Sequence, residues 1–510
     1  MKKNIIALLG LVMLVAALMT PSAKATTGGA HYWVKNSEDG QFNAVAVASN
    51  GDIVIIGRTG SSGASNEDFL VLRLDENGNA NWGRTYGGRG YDWAYSVDVA
   101  PNGDIIVVGD TSSFGAGYDD AWVLRLDKDG NVIWGKAFGG SNPDVALAVA
   151  VAPNDDVIVA GYTYSFGSGQ NDVWVIRLDK NGKIEWQKTY GGSGGEAVLA
   201  VAISSNGDII LAGNTGSFGA GRSDAWVLKL DKDGTLKWGK AYGGEEWDEA
   251  SAVAIAPNGD IIVAGDTEGF GAGGRDFWLL RLDGNGNVKW QKTYGGSEDD
   301  YAHAVVLTPG GDILVAGDSY LLALDTNGNL KWARAMYTTS VKIREDGTAV
   351  FAGGPYVGLI NVSRVPQYSG WNWDEEASVE VHDSNAKVSG TNPEVEDSNA
   401  QIHDTDAEIY NVTPKFETAW GCTSASTSTA PSQTRTTQPT QTEAPTKSSP
   451  HTQQTTTESQ TGFHPSSQPS SKPTTSTSET SNGFSFNVTC GPGLIVFLPL
   501  LPLLWRKRKM

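Results

Sequence analysis

A tryptophan returns every 52 residues along most of this chain. Trp82, Trp134, Trp186, Trp238 and Trp290 mark the period, and Asp52, Asp104, Asp156, Asp208, Asp260 and Asp312 repeat it. Within one period the sequence predicts four short strands, over 95–100, 104–109, 121–126 and 131–138 in the second unit. Each run is rich in Val and Ile and is bounded by Gly, Asn, Asp or Pro, residues suited to tight turns. One such unit cannot bury its own apolar faces, so units of about 50 residues with four strands must stack into a closed ring, the β-propeller. Gly at 63 of 510 residues suits a chain built from hairpins.

Counting the blades depends on the two ends. The sixth unit is shorter, with 42 residues from Trp290 to Trp332, because the loop that reads Ser-Ser-Phe-Gly-Ala-Gly in the second unit is missing. The seventh unit predicts three strands, over 340–344, 348–353 and 356–361, with no closing tryptophan. His31 to Lys35 reads as a fourth strand with nothing before it. Sharing one blade between the termini leaves no open edge in the ring. The expectation is an all-β, seven-bladed propeller over 31–364, closed by its N-terminal strand, then a small β-rich neck (365–422) and a disordered stalk (423–489).

The pattern Gly-Gly…Asp-x-Ala…Val…Gly-Asp-Ile-Ile-Val-Ala-Gly-x-Thr resembles the repeat family called SBBP, over roughly residues 31–364. The Leu-Asp-x-Asn/Asp-Gly-Asn-x-x-Trp portion is also similar to the repeat of quinoprotein dehydrogenases. The likeness implies the propeller fold and no particular activity. Quinoproteins carry a vicinal cysteine pair, whereas the two cysteines here, Cys422 and Cys490, both follow the repeats.

The flanking segments give an address. Residues 1–25 read as a secretory signal peptide, with Lys2 and Lys3, an apolar run and an Ala23-Lys24-Ala25 cleavage site. The neck carries a finer repeat, Val381, Val388, Val395, Ile402 and Ile409, seven residues apart. It predicts five short strands stacked as a small solenoid, or else an extended acidic segment. Of residues 423–481, 39 of 59 are Ser, Thr or Pro, the composition of an extended, O-glycosylated stalk. Sequons stand at Asn361, Asn411 and Asn487. The tail (490–510) begins Cys490-Gly-Pro and runs through about 15 apolar residues to Arg506-Lys-Arg-Lys509. It resembles the CGP-type C-terminal sorting signal of hyperthermophilic archaea, which implies a surface protein attached at the membrane near Cys490.

Chemistry is harder to find. A formal charge of −20 excludes nucleic acid as a partner, since phosphates would be repelled. Two of six histidines, His31 and His303, fall in the propeller, and no nucleophile elbow, metal-binding histidine cluster or phosphate loop occurs. Two acidic columns stand out. Asp92, Asp144, Glu196, Asp248 and Asp300 each follow a closing tryptophan by ten residues, just before the innermost strand. Gathered around a channel mouth they would repel one another, and calcium is the ion such a ring would hold. Asp68, Asp120, Asp172, Asp224 and Asp276 end the Gly-rich loops, and Arg73, Arg125, Arg177, Lys229 and Arg281 follow as their expected partners. Against this periodic background Tyr91, Trp93, Trp247 and Tyr301 break the repeat on the loop face. Exposed aromatics beside carboxylates suit a sugar or a protein partner. The reading is a surface-anchored binding or adhesion module for glycan or protein ligands. The rivals are an extracellular polysaccharide-acting enzyme and a structural envelope component.

Overall fold

The computed structural model describes residues 33–37, 40–59 and 66–362, with the backbone of six further strands between 380 and 420. The signal peptide, the stalk, Asn487 and Cys490 lie outside the described residues. Gly40–Val47, Ile53–Thr59, Phe69–Leu74 and Ala80–Gly87 pair in chain order as the first antiparallel blade. The sheets within 92–139, 144–191, 196–243, 248–295 and 302–335 repeat that order. Ser340–Ile343, Thr348–Gly353 and Tyr356–Asn361 make the seventh blade with Trp33–Ser37, which sets Trp33 opposite Leu359 and Lys35 opposite Val357. Seven blades, closed by the N-terminal strand, form the ring.

The innermost strands of successive blades touch around the circle, and those of the first and seventh complete it. Apolar cores fill the spaces between blades rather than lying within any one of them. Val54 and Phe69 of the first blade pack with Val97 and Trp122 of the second, and Trp122 sits 4.4 Å from the Phe69 ring. The second strand of each blade is therefore buried on both faces, which accounts for its unbroken Val/Ile run.

The 52-residue period is largely a set of clasps between neighbouring blades. Trp82 Nε1 donates to the Lys128 carbonyl (3.1 Å), and Tyr86 Oη to the Gly130 carbonyl (2.7 Å), both in the next blade. Trp134, Trp186, Trp238 and Trp290 repeat the first bond, and Tyr190, Tyr242 and Tyr294 the second. Gly130 is required for this contact. Its φ of 78° belongs to the left-handed region, and an added Cβ would stand 3.0 Å from the Trp82 ring.

The arginine column serves the same junction and corrects the expected pairing. Arg73 bonds Asp52 (2.9 Å), Arg125 bonds Asp104 (2.8 Å) and Arg281 bonds Asp260 (2.9 Å); Arg177 pairs with Asp156 and Lys229 with Asp208. These acids sit at the turn end of the blade, whereas Asp68 and its equivalents begin the third strand at its other end. Arg73 also reaches the Lys128 carbonyl of the next blade (3.0 Å).

The neck is not a separate stack. Glu380–Asp383 pairs with Val288–Gly295 of the fifth blade, Lys387–Thr391 with Leu236–Gly243 of the fourth, and Glu394–Asp397 with Ile184–Gly191 of the third. Gln401–Asp404 then joins Val132–Gly139, and Glu408–Asn411 joins Ala80–Gly87. Phe416–Trp420 finally covers Trp33–Ser37. The segment is a belt that runs backwards around the ring and adds a fifth strand to six blades. Its seven-residue pitch has a clear origin in the register. Val381, Val388, Val395, Ile402 and Ile409 each lie opposite the aromatic residue that closes a blade: Tyr294, Tyr242, Tyr190, Phe138 and Tyr86.

Candidate functional site

The acidic column Asp92, Asp144, Glu196, Asp248 and Asp300 lies at the loop end of the innermost strands, as its spacing predicts, yet every member is buried. Asp144 accepts bonds from Gly140 N (2.7 Å), Ser165 Oγ (2.8 Å) and Thr163 Oγ1. Asp92 does the same with Gly88 N, Ser113 Oγ and Thr111 Oγ1. Glu196, Asp248 and Asp300 take the amides of Gly192, Gly244 and Gly296. Each carboxylate thus ties the Gly-Gly turn that ends one blade to the second strand of the next. Burial raises the carboxyls of Asp92, Asp144, Asp248 and Asp300, with Asp248 pushed up to about 6, and the hydroxyl and amide donors oppose it. Among the described residues no group of three or more His, Cys, Asp or Glu is placed to hold a metal ion. Hydrogen bonds within each junction oppose the cost of burying these carboxylates.

Asp120, Asp172, Asp224 and Asp276 close the Gly-rich loops in the same manner. Asp120 Oδ2 accepts from Ala116 N (2.8 Å), and Asp276 Oδ2 from Ala272 N (2.9 Å). Neither acidic column presents a free surface.

The side chains that do not repeat occupy three positions at the mouth of the channel. At the entry of the innermost strand stand Gln41, Trp93, Val145, Ala197, Glu249 and Tyr301. Opposite them on the second strand are Arg58, Asp110, Tyr162, Asn214 and Asp266, and in the sixth blade Asp318, just past that strand, donates its amide to the Tyr301 carbonyl (3.0 Å). The third position is a β-bulge, where Asn43, Tyr95, Leu147, Leu199, Ser251 and His303 sit between shifted registers. A bulge re-aims one side chain while leaving the ladder intact. Conserved geometry with variable chemistry is therefore concentrated at this rim.

Two sides of the rim differ in kind. On the side of the second and third blades, Tyr91 is 53% exposed and meets Trp93 edge-on at 6.3 Å, with the Arg58 guanidinium 5.4 Å from the Trp93 ring. Tyr162 and Tyr164 form a second edge-on pair at 5.8 Å, and Tyr118 is also exposed. Tyr95 donates to Asp110, whose carboxyl is pushed up to about 7 by burial and by the charge of Asp119. On the side of the fifth and sixth blades, charges are paired. Arg275 bonds Asp266 (2.6 Å) and lies 5.5 Å from the Tyr301 ring. Asn214 donates to Glu249 (2.9 Å), and His303 Nε2 lies 2.6 Å from Asp318 Oδ1. Burial and the charge of Glu249 push Asp266 up to about 7, against the pull of Arg275.

Of the four aromatics singled out in the sequence, the structure brings Tyr91 together with Trp93. Trp247 is 43% exposed and takes the place of Tyr91 in the fifth blade, three blades further around the ring. Tyr301 takes the place of Trp93 in the sixth. Tyr95, Tyr118, Tyr162, Asp110, Glu249, Asp266 and Arg275 were not singled out. Comparing all units position by position would have found most of them, because each departs from its equivalents. Asn361 ends the third strand of the seventh blade, and Asn411 ends the belt strand on the first. Two cavities, of about 540 and 290 Å³, open between blades on the opposite face. Hairpin-turn residues such as Ser204, Asn206 and Asn258 line them, so they are grooves that the repeat itself produces.

Fold and rim define a repeat β-propeller with a variable channel mouth. Residues 100–132 and 256–288 match the family model described as "Domain of unknown function (DUF5122) beta-propeller". The Regulatory protein FlaEY of Caulobacter vibrioides is 27% identical over 172 residues, covering 29% of this chain and 18% of that protein. The chain thus spans less than a fifth of that relative. Among solved structures, the WD40 propeller domain of Doa1 is similar at 12% identity and a TM-score of 0.45, covering 64% of this chain and 96% of that one. A streptogramin B lyase is similar at 12% identity and a TM-score of 0.43, covering 65% and 97%. No ligand or activity follows from likeness at this level.

Proposed function

We propose that the chain is an extracellular, surface-anchored propeller that binds a glycan or protein ligand at the mouth of its channel. One observation carries this reading. Residues that repeat are engaged in junctions between blades, while those that vary gather on one rim and include exposed aromatics beside carboxylates. Aromatic faces supply apolar area at little entropic cost, and neighbouring acids orient polar groups. The signal peptide, the Ser/Thr-rich stalk and the Cys490-Gly-Pro tail support export and tethering at the membrane. The net charge argues against nucleic acid. Binding of the soluble chain 26–422 to a glycan array and to purified surface proteins tests the reading. Trp93→Ala is expected to weaken binding at least tenfold with an unchanged melting temperature. Ligand binding indifferent to both Trp93→Ala and Trp247→Ala would remove the mouth from consideration.

A second reading is favoured by one specific feature. Asp110 and Asp266 hold carboxyls near pH 7 in the mouth, a property suited to proton transfer in polysaccharide cleavage. Release of reducing ends or unsaturated products from polysaccharides, abolished by Asp110→Asn or Asp266→Asn, would support an enzyme over a binding module.

A further inference from the structure

Exposed aromatic rings are spread unevenly around the mouth. Among the described residues the exposed large apolar side chains are Tyr91, Tyr118, Tyr164, Trp247, Tyr337 and a single aliphatic, Ile133, at the turn end of Val132–Gly139. Tyr91, Tyr118 and Tyr164 all stand at the second and third blades. Tyr118 is 75% exposed, where the later units carry Gln170, Arg222 and Gly274. Tyr164 is 48% exposed, where other units carry Ser112, Gly216 and Glu268.

The loops bring these rings into one arc. Asp144 N donates to the Asp119 carbonyl (2.7 Å) and Tyr164 N to the Pro143 carbonyl (3.0 Å), so Tyr118 and Tyr164 flank the same turn. Tyr162, edge-on to Tyr164, lies in the field of Asp110 and Asp119. Asp110 stands opposite Trp93 in the register, and Trp93 backs Tyr91. Backing by a second ring holds Tyr91 and Tyr164 in place at little cost in side-chain freedom.

The chemistry of the arc selects its ligand. Aromatic faces stack on the C–H faces of a sugar ring, and carboxylates accept its hydroxyl protons. An anionic ligand would meet Asp110 and Asp119 with like charge. Arg58, the cation beside Trp93, is already engaged by Gln41 (2.9 Å) and Glu67 (3.5 Å). The isolated rings also lack the contiguous apolar core of a protein interface. A second observation points the same way. Trp93 Nε1, a donor, and Asp110 Oδ1, an acceptor, are buried on opposed residues and have no hydrogen-bond partner among the described residues. A hydroxyl accepts from one and donates to the other, whereas an ammonium only donates and a carboxylate only accepts. We infer that this arc is a subsite for a neutral, hydroxyl-rich glycan, with Tyr118 and Tyr164 as its platform and the Trp93–Asp110 pair reading a hydroxyl. The inference rests on the mouth being the binding face, and it assigns the ligand class and the side of the ring that holds it.

Direct binding to the full chain tests it, with a neutral glucan, a neutral mannan, a polyuronate and a lysine-rich peptide as probes. A neutral glycan is expected to bind, and the two charged probes are not. Tyr118→Ala and Tyr164→Ala should each weaken that binding at least about fivefold, as loss of a stacking ring does, with an unchanged melting temperature. Trp247→Ala, far around the ring, should change it by less than about twofold. Affinity should hold within about twofold between roughly 0.05 and 0.5 M salt, since no ion pair forms with the ligand. Preference for the polyuronate or the peptide, weakened by the tyrosine substitutions, would overturn the ligand class and leave the mouth as the binding face. Glycan binding lost in Trp247→Ala and unchanged in Tyr118→Ala and Tyr164→Ala would overturn the placement alone. Glycan binding indifferent to all three, and to Trp93→Ala, would overturn the mouth itself. Binding of none of the probes would also overturn the inference, whether or not a surface protein binds at the mouth.

Discussion

At the scale of single residues, the carboxylates divide into those that hold blades together and those that face the mouth, and the two groups predict different behaviour. Asp144 is buried and takes three donors from two adjoining blades. Asp144→Ala leaves those donors without an acceptor and is expected to cost about 2–4 kcal/mol of stability, measured by chemical denaturation. A loss below about 0.5 kcal/mol would contradict the junction role. Asp110 behaves differently with pH. Its carboxyl is raised from an ordinary 3.8 to about 7 by burial and by Asp119. Between these values the folded chain binds more protons than the unfolded one, so this group lowers stability as pH rises and the loss is complete above about 7. Asp110→Asn cannot ionise. It should therefore melt higher than the parent at pH 8 and alike at pH 4, and an equal difference at both pH values would contradict the assignment. The columns themselves were plain from spacing. Their partners were not, because a fixed spacing of Asp and Arg does not say which end of a strand each occupies. Arg73 reaches Asp52 rather than Asp68 for that reason.

At the scale of strands, the sequence displayed the blades clearly and the belt only as a rhythm. Blade strands are adjacent in the chain and joined by hairpins, so alternation and turn residues announce them. The belt strands pair with residues far earlier in the chain, as Ile409 does with Tyr86. Nothing local distinguishes that from stacking among themselves, so the solenoid was a natural expectation from Val381, Val388 and Val395. The N-terminal strand is where both systems meet. Trp33–Ser37 pairs with Tyr356–Asn361 on one side and Phe416–Trp420 on the other. Deleting residues 26–36 opens the seventh blade and also leaves the last belt strand without its partner. The melting temperature of that deletion is expected to fall by roughly 5 °C or more, with aggregation on heating. An unchanged melting curve would show that the seventh blade does not need its fourth strand.

At the scale of the whole molecule, the ring was legible because one period recurs often enough to count, and its break at both termini revealed how it closes. The mouth was legible only in part. Tyr91 and Trp93 drew notice as large aromatics, whereas Asp110 and Glu249 are ordinary residue types whose departure matters only once the ring brings equivalent positions together. The proposed address makes the last prediction. A propeller on a long Ser/Thr/Pro-rich stalk binds surface ligands effectively only if its far end is held, and Cys490-Gly-Pro with the basic Arg506–Lys509 cluster supplies the candidate attachment. Were the tail a sorting signal processed near Cys490, the mature protein would lack the peptide 491–510 and carry its anchor at or before that cysteine. Mass spectrometry of protein taken from the producing cells should then recover peptides of the propeller but none containing Trp505–Met510. Cys490→Ser should alter attachment, shifting protein from the membrane fraction to the medium or leaving the tail uncut. Recovery of an intact Trp505–Met510 peptide from membrane-bound protein would show that the apolar run itself is the anchor.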